Sequence, residues 1–223
     1  VVEGLVRAGV GSFDLIDDDK VGLSNLNRQL LATHETIGNY KVDVMKERIL
    51  SINPQAKVVI HRCFYLPETS EQFDFRQYSY VVDAIDTVTG KLEIIMKAQE
   101  AKVPIISCMG TGNKIHPELL SVADIYQTSM CPLAKVMRNE LRKRKVEQLK
   151  VLYSKEKPLC CVEEGENGST QWDSEEIIEQ KIPGKIFTGR RGLPGSISFV
   201  PSIAGLMIAG EIIRDLIGNE EKK

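Results

Sequence analysis

The residues best suited to chemistry in this sequence are an acid, an asparagine and an arginine close together, a lysine, and a second acid, in that order. Asp17 follows the mostly apolar run 13–16, Ser24-Asn25-Leu26-Asn27-Arg28-Gln29 comes next, Lys41 lies thirteen residues beyond Arg28, and Asp83-Ala84-Ile85-Asp86 closes another apolar run. An acid at the end of a strand in a nucleotide-binding sheet can accept hydrogen bonds from the vicinal hydroxyls of a ribose. An arginine, a lysine and an acid able to hold Mg²⁺ form the set that binds a triphosphate and stabilises charge developing on its α-phosphate. Singly, each has a plainer reading: Asp17 as a turn acid or helix cap, Asn25 as a cap, Arg28 and Lys41 as surface cations, Asp83 as a hydrogen-bonded core acid.

These residues need a scaffold, and the apolar periodicity supplies one. Val2, Leu5 and Val6 share a helical face that ends at Gly9 and Gly11, before the run 13–16. Val42, Met45, Ile49 and Ile52 recur at helical spacing over 41–52, Asn53-Pro54 stops that helix, and 57–61 reads as a short strand. The run 80–85 is apolar except for Asp83, as in a strand covered on both faces. A helix over 91–102 leads to a strand over 103–108 ending at Gly110-Thr111-Gly112. This succession predicts an α/β fold, a Rossmann-like, mostly parallel sheet with helices on both faces. Ligands of such sheets gather at the carboxyl ends of the strands, where Asp17, Asp86 and Gly110 are expected. From Ser121 the chain reads as a polar, basic helical stretch, 163–192 as a flexible loop or crossover, and 204–217 as a last apolar helix.

The ordered set Asp17, Ser24-Asn25-Leu26-Asn27-Arg28-Gln29, Lys41 and Asp83-Ala84-Ile85-Asp86 resembles the adenylation site of the ThiF, MoeB and HesA proteins of the ubiquitin-activating-enzyme-like superfamily. The resemblance implies that Asp17 holds the ribose of ATP, that Asn25, Arg28 and Lys41 contact the phosphates, and that Asp86 holds Mg²⁺. Arg28, Lys41 and Asp86 would be the catalytic group. The implied reaction is attack of a substrate carboxylate on the α-phosphate, giving an acyl adenylate and pyrophosphate. A homodimer is implied as well, in keeping with apolar segments beyond Val103 that exceed the needs of one small sheet. One family feature is absent, the Gly-rich phosphate loop after a first strand. The sequence opens on Val1-Val2-Glu3-Gly4-Leu5 with a helix already under way, so the missing strand and loop are expected upstream of Val1.

Relatives that activate small ubiquitin-like proteins usually carry two C-x-x-C pairs, the spacing tetrahedral zinc requires. The five cysteines here, Cys63, Cys108, Cys131, Cys160 and Cys161, contain no such pair, and no zinc is expected. The segment 131–144, Cys131-Pro132-Leu133-Ala134-Lys135 to Arg144, resembles the tRNA threonylcarbamoyladenosine dehydratases, as do 80–87, 122–125 and 195–201. In that family the activated carboxylate belongs to the threonyl group on an adenosine beside the anticodon, and attack from within the same nucleoside closes a ring with net loss of water. The stretch 135–157 holds nine Lys or Arg against three Glu, a patch able to neutralise RNA phosphates, with Lys135, Arg138, Arg142, Lys143 and Arg144 as the candidate contacts. Its plainer reading is a solvated helix. Cys160 and Cys161 lie where relatives can place a cysteine, and a thiolate there could act as a nucleophile if its pKa were lowered, but Glu163 and Glu164 would raise it, and the two read as structural or incidental.

A length of 223 residues with 42% apolar content suits one domain over 1–223. The formal net charge of -2 gives no overall attraction to nucleic acid, so tRNA must meet the local patch. Sparse cysteines fit a reducing cytoplasm, no apolar stretch is long enough for an integral membrane segment, and His34, His61 and His116 show no metal-ligand spacing. Two competing readings stand beside the dehydratase. Adenylation of the C-terminus of a small ubiquitin-like protein would share every ATP-site residue; the other is a binding module or dinucleotide-dependent oxidoreductase on a Rossmann-like sheet, but Arg28, Lys41 and Asp86 have no role in hydride transfer. The sequence leaves open a sulfur-acceptor or accessory protein as a further partner.

Overall fold

The computed structural model describes residues 1–159, 181–182, 185–186 and 195–220. In chain order the elements are α1 (Val2–Arg7), β1 (Ser12–Ile16), α2 (Lys41–Ile52), β2 (Lys57–His61), α3 (Pro67–Ser70), β3 (Val81–Asp83), α4 (Val88–Glu100), β4 (Ile105–Cys108), β5 (Leu120–Asp124), α5 (Pro132–Lys143), β6 (Lys150–Ser154), β7 (Lys181–Ile182), β8 (Lys185–Ile186) and α6 (Phe199–Glu220). β1 and β2 pair in parallel, and a four-stranded sheet runs in the order β3-β4-β6-β5, parallel except for β5. The expected α/β architecture is therefore present.

Side chains alternate across a strand, and this alternation sorts the apolar residues into two cores. Val81, Val151 and Tyr153 face one core, with Leu92, Ile95 and Ala98 of α4 and Ala134, Met137 and Leu141 of α5. Their neighbours Val82, Ile106 and Leu152 face the other, with Leu5 and Val6 of α1, Ile49 of α2 and Ala204, Ile208 and Ile212 of α6. Phe13 and Leu15 of β1 join this second core. The two sheets are thus joined through a shared core, and among the described residues β1 and β3 each keep one unpaired edge. A hydrogen bond from the Tyr78 hydroxyl to Asp14 Oδ2, 2.6 Å, also links them.

Several boundaries differ from the sequence-based expectation for local physical reasons. The strand expected over 80–85 contracts to Val81–Asp83, because the Asp83 carboxylate accepts from the Ile85 amide and turns the chain there. The helix expected over 91–102 runs Val88–Glu100, and Lys102 with φ 58 turns the chain toward β4. The stretch from Ser121 opens as a strand, since Val122 and Ala123 have partners in Leu152 and Val151. The last helix begins at Phe199, ahead of the expected 204. The loop expected over 163–192 lies outside the described residues except for β7 and β8, which pair antiparallel, and Cys160 and Cys161 lie outside them too. Among the described residues no helix is long and apolar enough to cross a membrane.

Helix α6 is docked by packing and by charge. It crosses α1 at Gly4, where a Cβ would come within 2.8 Å of the Ala209 Cβ. Lys150 Nζ donates to Glu211 Oε1 at 2.9 Å and to both oxygens of Asp215 at 2.7 Å, and the Tyr80 hydroxyl donates to Asp215 at 2.7 Å. Hydrogen bonds from Arg214 and Lys150 hold Glu211 below the usual carboxylate range. Burial pushes the Asp215 carboxyl up, but hydrogen bonds from Lys150 and Tyr80 with the charge of Lys150 hold it below that range. A carboxyl depressed in the folded state contributes stability that is present above its unfolded pKa and lost as pH falls through the folded one. Denaturant unfolding at stepped pH should therefore show stability falling below about pH 4.5, where unfolded carboxylates protonate. Lys150→Met should flatten that fall, and an unchanged slope would remove this cluster from the acid response.

Candidate functional site

Asp17 follows β1 directly, and its amide extends the ladder by donating to His61 O at 3.2 Å. Its Oδ1 accepts from the Asp19 amide at 2.8 Å, so the acid run folds back on itself. Burial pushes the Asp17 carboxyl up, against the opposing effects of the Asp19 amide and Lys41. A half-buried carboxylate fixed at a strand end suits recognition of a diol.

Lys41 opens α2 and is tied to the same acid run twice: its amide donates to Asp19 O at 3.0 Å and its Nζ to Asp19 Oδ2 at 2.7 Å. Lys20 and Tyr40 form an antiparallel bridge, and Val21 pairs with Asn39 and Gly38. These contacts close residues 22–37 into one excursion. Within it Asn25 Oδ1 accepts from the Gly22 amide at 3.0 Å, and among the described residues the side-chain amide donors of Asn25 are left for a ligand. Arg28 Nη1 donates to Ser24 O at 2.7 Å and Asn27 Oδ1 at 3.0 Å, so among the described residues Nε and Nη2 remain available. Gln29 Oε1 is buried without a hydrogen-bond partner among the described residues, an orphan that invites a donor from a ligand. Amide, guanidinium and ammonium donors held on one closed excursion and the helix start beside it suit a polyphosphate.

Asp86 lies beyond β3, in the turn before α4. It is exposed, and among the described residues its carboxylate has no hydrogen bond or ion pair, as befits a ligand for a hard cation. Asp17, Asn25, Arg28 and Lys41 thus gather around β1 and the start of α2, while Asp86 and Gly110 follow the adjacent parallel strands β3 and β4. The carboxylates of Asp17, Asp18 and Asp19 lie within 4.8 Å of one another, but Lys41 neutralises Asp19. Burial pushes the Cys108 thiol at the end of β4 up to about 11, which leaves it protonated and a poor nucleophile.

Residues around the site were not legible as such. Asp83 is a core acid, in keeping with its plainer reading, and its partners are Lys91 and Ser107, which the sequence pattern does not mark. The one available hint is a lysine set among Leu92, Ile94 and Ile95 on an apolar helix, a position that demands a buried counter-charge. Asn113 carries no sequence signal: its backbone holds Leu159 and Gly195, and its Oδ1 accepts from the Gly195 amide at 2.6 Å.

The candidate RNA contacts divide by environment. Lys135, Arg142, Lys143 and Arg144 are exposed on α5 or at its end. Glu140 pairs with Lys143 at 2.6 Å and Arg144 at 2.7 Å, and the Arg142 guanidinium lies 5.3 Å from the Tyr126 ring centroid. Arg138 is half-buried instead and donates to the carbonyl and the hydroxyl of Thr128.

Comparison with known proteins shows what the chain as a whole is similar to. The profile of the ThiF family matches residues 1–223. The chain is 39% identical over 222 residues to the tRNA threonylcarbamoyladenosine dehydratase of Bacillus subtilis, covering 99% of this chain and 83% of that protein. It superposes on the crystal structure of Escherichia coli tRNA N6-threonylcarbamoyladenosine dehydratase, TcdA, in complex with AMP, with a TM-score of 0.81 and 27% identity, over 100% of this chain and 82% of that one. For the same Escherichia coli protein in complex with ATP the TM-score is 0.79, with the same identity and coverage.

The environments on α5 predict different outcomes for its cations. Arg138→Ala should destabilise the protein by about 1–3 kcal/mol, because the buried Thr128 groups lose their donor. Lys135→Ala should leave the denaturation midpoint where it is. Equal midpoints for the two variants would return Arg138 to the exposed set.

Proposed function

From a chain that belongs to the ThiF family, we propose an ATP-dependent tRNA threonylcarbamoyladenosine dehydratase. Likeness to dehydratases along almost the whole chain is the observation that carries this reading. The substrate is the threonylcarbamoyl modification on a tRNA adenosine next to the anticodon. Its carboxylate attacks the α-phosphate of ATP, the bond to pyrophosphate breaks, and an acyl adenylate forms. Attack from within the modified nucleoside then expels AMP and closes a ring, so that the substrate has lost one water.

In this reading Asp17 accepts from the ribose hydroxyls, and the side-chain amide of Asn25 donates to a phosphate. Arg28 and Lys41 carry the charge that develops at the α-phosphate, which requires Lys41 to exchange Asp19 for the nucleotide. Asp86 holds Mg²⁺, which would neutralise the departing pyrophosphate. Its exposed carboxylate, without a partner among the described residues, supports that role.

The tRNA lies on α5, where Lys135, Arg142, Lys143 and Arg144 meet phosphates; recognition of the modified adenosine belongs to the nucleotide pocket. A substrate of this kind fits a cytoplasmic setting. The chain forms a homodimer through α6, where Phe199, Ile203 and Leu206 recur at helical spacing while 40%, 36% and 58% exposed. Light scattering at micromolar concentration should give twice the chain mass, and Leu206→Glu should reduce it to one; a monomer from the outset would remove the dimer.

The decisive assay supplies tRNA bearing the threonylcarbamoyl group, ATP and Mg²⁺, and follows AMP, pyrophosphate and the loss of water from the nucleoside. Asp86→Ala should abolish turnover in a folded protein. Turnover with a ubiquitin-like protein in place of tRNA would overturn the reading. The Arg142→Ala, Lys143→Ala double variant should bind tRNA more weakly and with a shallower salt dependence, the slope falling by roughly 0.7–0.9 for each phosphate no longer neutralised. Identical slopes would make this a solvated helix face.

A further inference from the structure

Asp83 ends β3 opposite Ser107 of β4, so both side chains stand on the face that α4 covers. Asp83, Lys91 and Ser107 are 0%, 1% and 0% exposed. Asp83 Oδ1 accepts from Lys91 Nζ at 3.1 Å and from the Ile85 amide at 3.2 Å. Oδ2 accepts from Lys91 Nζ, again at 3.1 Å, and from the Ser107 hydroxyl. Lys91 Nζ also donates to Cys108 O at 2.8 Å, which occupies the third of its donors. One buried carboxylate and one buried ammonium thus join the ends of β3 and β4 to the first turns of α4.

The turn between them carries Asp86. On one side of Asp86 the Ile85 amide is held by Asp83; on the other, Thr87 O accepts from the Lys91 amide at 2.9 Å. Gly90 closes the arrangement sterically. A Cβ there would stand 2.8 Å from Ile85 Cδ1, 2.9 Å from Thr87 Oγ1 and 2.9 Å from Tyr65 O, so α4 rests directly on the turn. Asp86 alone in this turn projects a charged group without a partner among the described residues.

We propose that Asp83, Lys91 and Ser107 are positioning residues that preset the Asp86 carboxylate for the divalent cation accompanying the nucleotide. The inference rests on the reading of Asp86 as the Mg²⁺ residue. A ligand whose backbone is pinned on both sides needs little reorganisation when the cation arrives, and loosening the pins weakens binding without removing any ligand atom. The two acids of Asp83-Ala84-Ile85-Asp86 then divide the work: the first fixes the turn, the second meets the metal.

The test measures binding of Mn²⁺, as a paramagnetic stand-in for Mg²⁺, by electron paramagnetic resonance with a non-hydrolysable ATP analogue present. Three variants are compared with the parent protein: Asp86→Asn, Ser107→Ala, and the charge-neutral double variant Asp83→Asn, Lys91→Met. Ser107→Ala removes one hydroxyl from the pin and leaves the ion pair, so it reports even where the double variant fails to fold. Ser107→Ala should weaken Mn²⁺ by about tenfold, the scale seen for residues that orient metal ligands. The affinity for the analogue without metal and the circular dichroism spectrum should not move. Parent-like Mn²⁺ affinity in folded Ser107→Ala, with affinity lost in Asp86→Asn, overturns the positioning role and leaves the metal reading intact. Parent-like affinity in Asp86→Asn overturns the metal reading and the inference together.

Discussion

A carboxylate and an ammonium taken out of water cannot be left alone. Stripping either from its partner in a protein interior costs about 3–5 kcal/mol, because the remaining charge has no solvent to turn to. Asp83 and Lys91 meet that requirement in each other, with Ser107 and Cys108 O taking up the remaining hydrogen-bonding capacity. The consequence is geometric: β3, β4 and the start of α4 cannot shift independently. β3 stops at Asp83 because the same carboxylate turns the chain through Ile85, and α4 starts at Val88, after a turn that leaves Asp86 outside.

Around that fixed corner the sheet separates two surfaces. α5 packs on the core that includes Val81 and Val151, and α6 on the opposite one with Val82 and Leu152. The basic face proposed for tRNA and the apolar stripe proposed for a second copy therefore lie on opposite sides of the four-stranded sheet. A tRNA on α5 and a partner on α6 would not compete for the same surface. Lys150 shows how local charge is spent on the fold in the same stretch of sequence: it belongs to the basic run but is committed to Glu211 and Asp215.

The donors proposed for the phosphates are organised differently from Asp86. Asn25 and Arg28 sit on an excursion closed by the pairing of Val21 with Gly38 and Asn39, and Lys41 is held by Asp19 across the same closure. The Arg28 contacts and the Lys41–Asp19 pair join groups that also bond well to water, and Asp19 is half-exposed, so exchanging one for a phosphate oxygen costs little. A firmly set acid and readily exchanged cations suit a site whose ligand enters and leaves in each turnover.

Periodicity alone determined much of this protein. Apolar spacing placed the helix over 41–52 and the strand over 57–61, and the order of elements pointed to the α/β class, because period and burial are local properties of the chain. Residue types and their order marked Asp17, Asn25, Arg28, Lys41 and Asp86, since diol, phosphate and cation recognition each require a particular chemical group. Only the tertiary structure decided which charges serve the fold. Arg138 and Arg142 are alike in sequence, yet one is half-buried at Thr128 and the other exposed beside Tyr126. Lys91 pairs with Asp83 eight residues away, but the ion pair has meaning only because β4 brings Ser107 and Cys108 to the same point. Whether a charge is buried depends on what packs over it, and the covering residues come from distant parts of the chain.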